Sequence, residues 1–341
     1  MLFPHPVGTL RTARIFYMGD RLMRRFILGL VVVLVVAFVG AIQSNVVFSL
    51  TKASSLLVGD WGNAGGGFND IVMEYDGTSG AFLGTFASGG GLDAPTDMVF
   101  GPDGSLYVAS AGSDNILHYD GTTGAFLGVA TGGGLDFPFG ITFGPDDNLY
   151  ISNPSGIYAD TVLRYNGTTG AFIDVFSSGI LGPRYLAFGP DDNLYVVSNH
   201  TGSVLRYNGV TGAFIDTFAT GGMSGPYGLT FGPDNNLYVS NRLSDCITQY
   251  DGATGDFLSV FASAGLDVPA GLAFGPDNNL YVANEGGDNI TRHNGSNGSF
   301  INVFTSGGGL SSPRAIVFTP ASIPHSPADF NTDGAVDCGD L

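Results

Sequence analysis

Across residues 55–318 apolar residues come in bursts of five or six, divided by Gly, Pro, Asp and Asn. Asn236-Leu-Tyr-Val-Ser follows a Gly-Pro-Asp-Asn turn and alternates apolar with small or polar residues, which predicts a strand entered from a tight turn. Cys246-Ile-Thr-Gln-Tyr predicts a second strand, and Asp251-Gly-Ala-Thr-Gly a turn with glycine free to take positive φ. Asp256-Phe-Leu-Ser-Val-Phe and Ala270-Gly-Leu-Ala-Phe predict a third and a fourth. No segment after residue 55 carries a 3.6-residue period.

The pattern recurs. GPDGSLYVAS at Gly101, GPDDNLYISN at Gly144, GPDDNLYVVSN at Gly189, GPDNNLYVSN at Gly232 and GPDNNLYVAN at Gly275 are spaced by 43, 45, 43 and 43 residues. Four short strands per repeat at that period predict the blades of an all-β propeller. The strand before Gly-Pro-Asp occurs six times, at residues 95–100, 138–143, 183–188, 226–231, 269–274 and 313–318. The Leu-Tyr-Val strand also occurs six times if residues 55–60 (SLLVGD) are the first. The expectation is six four-stranded antiparallel blades, with 313–318 pairing 55–60 to close the ring and remove two free sheet edges.

The units at 226–241 and 269–284 read Pro-x-Gly-Leu-x-Phe-Gly-Pro-Asp-Asn-Asn-Leu-Tyr-Val-x-Asn. They resemble NHL-repeat propellers and their relatives among the streptogramin lyases and the senescence-marker/gluconolactonase group. The resemblance covers residues 55–318. It implies a fold and leaves activity open, because such propellers include enzymes and binding platforms.

Residues 1–54 hold five of the eleven arginines and the only lysine, Lys52. Residues 55–341 set six arginines against 29 acids, a formal balance of −23. That surface repels nucleic acid and anionic membranes. The apolar run 26–42 behind Arg24-Arg25 is read as a cleaved export signal or an uncleaved anchor. Either address is secreted, periplasmic or cell-surface, with the membrane touched only through residues 1–54. Cys246 and Cys338 fall in different segments, so no structural disulfide is expected and the ring is read as monomeric.

Residues 319–328 are a Pro/Ser linker. Residues 329–341 then place Asp329, Asn331, Asp333, the Ala335 carbonyl, Asp337 and Asp340 at positions 1, 3, 5, 7, 9 and 12 of a calcium-loop pattern, with Gly334 at the sharp turn. Aspartate at the last position makes this resemble a dockerin type I repeat. The pattern implies calcium, on a loop that lacks its exiting helix.

In a propeller, the loop entering the inner strand and the loop leaving the second strand open on one face. Departures from the repeat there are Asp60, Asp97, Arg184, Tyr185, His200, Tyr227, Glu285 and Arg314. Two arginines, acids and aromatics at one mouth suit an anionic or polar ligand. The repeated Asn is read as structural. The gluconolactonase resemblance implies a divalent metal on Glu, Asn and Asp, and the lyase resemblance implies histidines with a glutamate. Only Asp97 is an acid at the inner-strand entry, His118 and His293 fall on third strands, and no serine-hydrolase elbow or zinc motif occurs. The reading is therefore a non-catalytic binding module for a protein or glycan. The alternative is a metal-dependent lactonase, hydrolase or lyase using Asp60, Asp97, Arg184, His200 and Glu285. A third reading leaves the ring as a spacer for the tail.

Overall fold

The computed structural model describes residues 54–62 and 70–320. The export segment, Cys338 and the calcium-loop pattern lie outside the described residues. Six four-stranded antiparallel sheets form six blades. In blade 5 the order from inside out is Pro226–Phe231, Leu237–Asn241, Cys246–Tyr250 and Phe257–Ala262. The only helical pieces among the described residues are two 3₁₀ turns, Ala111–Ser113 and Gly156–Tyr158.

Blade 1 is composite, as expected. Pro313–Phe318 lies beside Ser55–Asp60, with Leu56 opposite Phe318 and Val58 opposite Ile316. Thr319 extends the clasp, its Oγ1 accepting from the Ser55 amide at 2.8 Å and its carbonyl from the Ser54 hydroxyl at 3.0 Å.

The second strands, such as Leu237–Asn241, are buried on both faces because adjacent blades cover them. Five of the six blade seams use the Tyr of Leu-Tyr-Val, and at the sixth Leu57 packs with Phe86 and Phe100. Tyr238 meets Phe261 of its own outer strand at 4.8 Å and Phe274 of the next inner strand at 5.1 Å, both edge-on. Tyr281 meets Phe304 and Phe318 at 4.9 Å each, so the closing seam matches the internal ones. Such edge contacts contribute about 0.5–1.5 kcal/mol beyond the area they bury. The same packing dictates the Gly of Gly-Pro-Asp: a Cβ on Gly232 would stand 2.6 Å from the Tyr238 ring. Asp234 then turns the chain by accepting from the Asn236 amide at 3.1 Å and the Tyr238 hydroxyl at 2.9 Å.

One inner strand is shorter than predicted. In blade 3 it runs Ile141–Phe143 and does not begin at Pro138. The approach stays tied to the second strand all the same: the Phe139 amide donates to the Ser152 carbonyl at 3.0 Å and the Ser152 amide to the Gly140 carbonyl at 2.9 Å. Other blades carry a register shift at the same place, as between Pro226 and Leu229. Outer strands carry shifts too, as between Arg206 and Tyr207, which bend the free edge away from regular pairing. Cys246 is a buried free thiol.

Candidate functional site

The inner-strand entries and second-strand exits share one face, since Pro226 pairs with Asn241 and Pro269 with Asn284. The repeated polar residue at the exit supports the loop. Ser110, Asn153, Asn241 and Asn284 each accept from a backbone amide 17 residues earlier, at 2.9–3.1 Å.

The residue after that polar position faces the mouth. Its amide donates to the inner-strand approach: Ala111 to Ala94, Asn199 to Gly182, Arg242 to Gly225 and Glu285 to Val268. Trp61 occupies this position in blade 1, because the next amide, Gly62, bonds Ser311 as Gly112 bonds Asp93. His200 does not. Its amide reaches Leu181 and its side chain is exposed, so Asn199 is the counterpart of Arg242 and Glu285. In blade 4 Ser198 pairs with Pro183 where Asn241 pairs with Pro226, so matching the Asn of the two motifs shifts the register by one residue.

Three of the six arginines of residues 55–341 meet here. Arg314 grips Glu285 through two bonds of 2.9 Å, and Arg242 reaches the same carboxylate at 2.7 Å. The Glu285 side chain is 16% exposed and that of Arg314 13%, so these pairs are largely desolvated. The Arg314 guanidinium stacks on Trp61 at 3.1 Å, and that of Arg242 on Tyr227 at 4.4 Å. Arg184 stacks on Phe139 at 4.6 Å.

Arg184 has no carboxylate partner among the described residues. Its Nε is buried without a hydrogen bond, as are Arg242 Nε and the Tyr227 hydroxyl. Burial lowers the pKa of Arg184, and the like charges of Arg242 and Arg314 lower it further. Arg184, Asn199, Tyr227 and Arg242 line a cavity of about 370 Å³ that Leu243 and Val268 flank. A larger hollow of about 490 Å³, at the rim between Gly179 and Phe214, is lined by hydroxyls and apolar groups and holds no Asp, Glu, Lys, Arg or His.

Tyr185 lies on the axis. Its hydroxyl spans the ring from blade 4 to the carbonyls of Thr96 at 2.8 Å and Arg314 at 2.9 Å. It packs edge-on to Phe139 at 6.1 Å and shares one buried cluster with Phe139 and Tyr227. Burial raises the Tyr185 hydroxyl well above its ordinary pKa, and the nearby Asp97 charge adds to this.

The predicted acids are each committed. The Asp97 carboxylate accepts from the amides of Met98 at 2.9 Å and Ile141 at 3.0 Å, tying blade 2 to blade 3. Burial pushes its pKa up to about 7, and those two bonds offset the rise only in part. Asp60 Oδ1 accepts from the amides of Gly62 at 3.1 Å and Ser311 at 3.2 Å. Glu285 is held by arginines. No three of His, Cys, Asp and Glu come together in a metal-holding arrangement among the described residues. With Asp97 and Asp60 accepting from backbone amides and Glu285 gripped by arginines, the donor set does not fit the Glu, Asn and Asp site that the gluconolactonase resemblance implies.

The structure thus brings together Arg184, Tyr227, Glu285 and Arg314, places Tyr185 and Asp97 on the axis and the blade 2–3 seam, and leaves His200 outside. Sequence reasoning passed over Arg242, Trp61, Phe139 and Asn199 as site residues. The signal for one was present: Trp61 is the only tryptophan of the chain, one residue beyond a predicted strand.

No family model and no curated protein matches the sequence. Solved structures do. A chain of a nidogen/laminin complex superposes with a TM-score of 0.62 at 14% identity, over 79% of this chain and 99% of that one. A putative 6-phosphogluconolactonase from Bacteroides uniformis gives 0.53 at 18% identity, over 78% and 99%. A catalytically inactive virginiamycin B lyase from Staphylococcus aureus, solved with quinupristin, gives 0.50 at 16% identity, over 80% and 87%. At these identities the likeness establishes the β-propeller fold.

Proposed function

We propose that this chain is an exported, non-catalytic binding propeller that engages a protein or glycan outside the cell through the Arg184–Arg242–Arg314 mouth. One observation carries the reading. A domain whose surface is strongly acidic gathers half of its arginines at one opening and leaves buried donors there without partners. An unpaired buried cation costs stability, so a scaffold with no ligand has no use for it. The site is built by departures from the repeat, while repeated residues keep the loops in place. A chain of the same fold occurs in a nidogen/laminin complex, which agrees with a binding role. The N-terminal apolar run supports export, and the calcium-loop pattern supports a second, metal-dependent contact at the tail.

The lactonase-like neighbour raises the enzymatic alternative. It gains little here, because Asp97, Asp60 and Glu285 are occupied by backbone amides and arginines. The test is a pull-down with the immobilised full chain against extracellular glycan and protein extracts, beside the Arg184→Gln/Arg242→Gln form. Capture that depends on the two arginines supports the reading. Lactone turnover that needs a divalent ion and disappears in Asp97→Ala would overturn it.

A further inference from the structure

Glu285 shows how this mouth holds a carboxylate. Two guanidinium forks close on it, one bidentate at 2.9 Å and one at 2.7 Å, and the arginines are backed by aromatic faces. Arg184 repeats the arrangement without the acid: a guanidinium stacked on Phe139, a buried Nε, and no carboxylate within reach among the described residues. Next to it stand two more unpartnered groups, the Tyr227 hydroxyl and Arg242 Nε. Asn199 spends its amide N–H on the Pro226 carbonyl at 2.7 Å, which leaves its side-chain oxygen as an acceptor. We infer that the ligand supplies the missing carboxylate to Arg184, and that it is the acid group of a sugar acid, such as a uronate residue of an acidic glycan.

This rests on the binding-platform reading and narrows it. Carboxylate is favoured because the guanidinium fork matches it in plane and spacing. Sugar is favoured over an acidic peptide because donors and an acceptor surround the acid position, as a hydroxyl-bearing ring needs, while the aromatic faces are already covered by arginines. A cavity of about 370 Å³ lies at the small end of ligand pockets, the scale of one sugar unit.

The substitution that tests this is Arg184→Gln in the full chain. It removes an unpaired charge, so the protein should melt no lower than wild type, and loss of binding cannot be blamed on unfolding. Calorimetry with D-glucuronate, D-glucose and N-acetyl-L-glutamate supplies the arms. The expected result is glucuronate at least about tenfold tighter than either alternative, with R184Q losing about 10- to 100-fold for glucuronate alone. Arg184→Lys should recover only part of that loss, since a point charge lacks the fork. Glucose binding as tightly as glucuronate overturns the carboxylate. Acetylglutamate binding more tightly overturns the sugar. Silence from all three probes overturns the inference, and the pull-down then decides separately whether the platform itself stands.

Discussion

Replacing Glu285 should expose the electrostatic design of the mouth. Three guanidiniums and one carboxylate give a local charge of +2, and Glu285→Gln raises it to +3. The lost carboxylate accepts three short charge-assisted bonds in a setting where both bidentate partners are less than one-fifth exposed. Breaking a buried pair by removing one partner costs about 3–5 kcal/mol. Gln keeps one carbonyl acceptor, so the lower end, about 3 kcal/mol, applies to it, and Glu285→Ala should approach about 5 kcal/mol. For a domain of this size each kcal/mol moves the melting temperature by roughly 2–4 °C, so E285Q should melt roughly 6–12 °C lower. The assay is thermal unfolding followed by near-ultraviolet circular dichroism, in chloride and in sulfate. Sulfate stabilises any folded protein, so the informative quantity is the gap between variant and wild type. That gap should narrow in sulfate, because the oxyanion can occupy the vacated forks. A variant that melts within about 2 °C of wild type, or a gap that sulfate leaves unchanged, refutes the view that Glu285 holds three like charges together.

Phe318→Ala should cost about 3 kcal/mol by chemical denaturation, the same as Phe188→Ala at an internal seam, because Phe318 meets Tyr281 at 4.9 Å much as Phe188 meets Tyr150 at 5.0 Å; a much smaller cost at Phe318 means that the ring does not depend on its closing strand. His293 stands where the other five blades have Tyr75, Tyr119, Tyr165, Tyr207 and Tyr250, whose hydroxyls donate to loop carbonyls such as those of Gly307 and Gly221. Burial lowers the His293 pKa below its usual 6.5. The unfolded chain therefore takes up a proton first, and stability falls as pH drops below about 6.5. His293→Tyr should add about 1 kcal/mol at pH 7 and more at pH 5, read from urea midpoints, and an unchanged pH slope rejects this. Asp97, raised from 3.8 to about 7, acts in the opposite sense: its neutral form is favoured by folding, and that stability is lost as pH rises from about 4 through about 7. Asp97→Asn should gain on wild type by roughly 4 kcal/mol over that interval, and parallel stability curves count against a neutral Asp97.

Much of this fold was legible because the blade is a local object. The Tyr of Leu-Tyr-Val, the Gly of Gly-Pro-Asp and the Pro-led inner strand fix one another within a single period, and five such copies with the composite first blade fix the ring. Closure was legible for a related reason: one inner strand was left over at the end and one partner was lacking at the start. The site was harder to read. Arg184 and Arg314 stand out at a position where half of the blades carry glycine one residue later. Nothing local shows that Arg242 shares Glu285 with Arg314, because the three come from different blades and meet only when the ring closes. His200 falls off the mouth because register, and not the shared Asn of the motif, sets its position. Ser198, not Asn199, pairs with the inner-strand proline, and a slip of one residue turns a side chain to the other face. Trp61 was overlooked since its role appears only with Arg314 lying on its ring.

The two sets of arginines in this domain make the separation of scaffold and site explicit. Arg164 and Arg206 lie on third strands and each finds the aspartate across the ladder, Asp174 and Asp216, through bonds of 2.6 and 3.1 Å. Arg292 takes the same position and bonds Asn302 at 3.2 Å. These are blade residues: same strand, same partner position, same stacking over an outer-strand phenylalanine. Arg184, Arg242 and Arg314 obey no such rule. They occupy two different positions of the repeat, come from three blades, and share one acid among three charges. An acidic protein has carboxylates to spare, and neutralising Arg184 would take a single substitution at a neighbouring exit such as Asn199. Among the described residues the ring sets one acid against these arginines, Glu285. A positive opening set in a negative surface attracts an anion only at short range, since the net charge of the whole repels it beyond about 10 Å at moderate salt. Selectivity in such a site comes from contact chemistry, the fork, the buried hydroxyl and the stacked rings, and owes little to long-range steering.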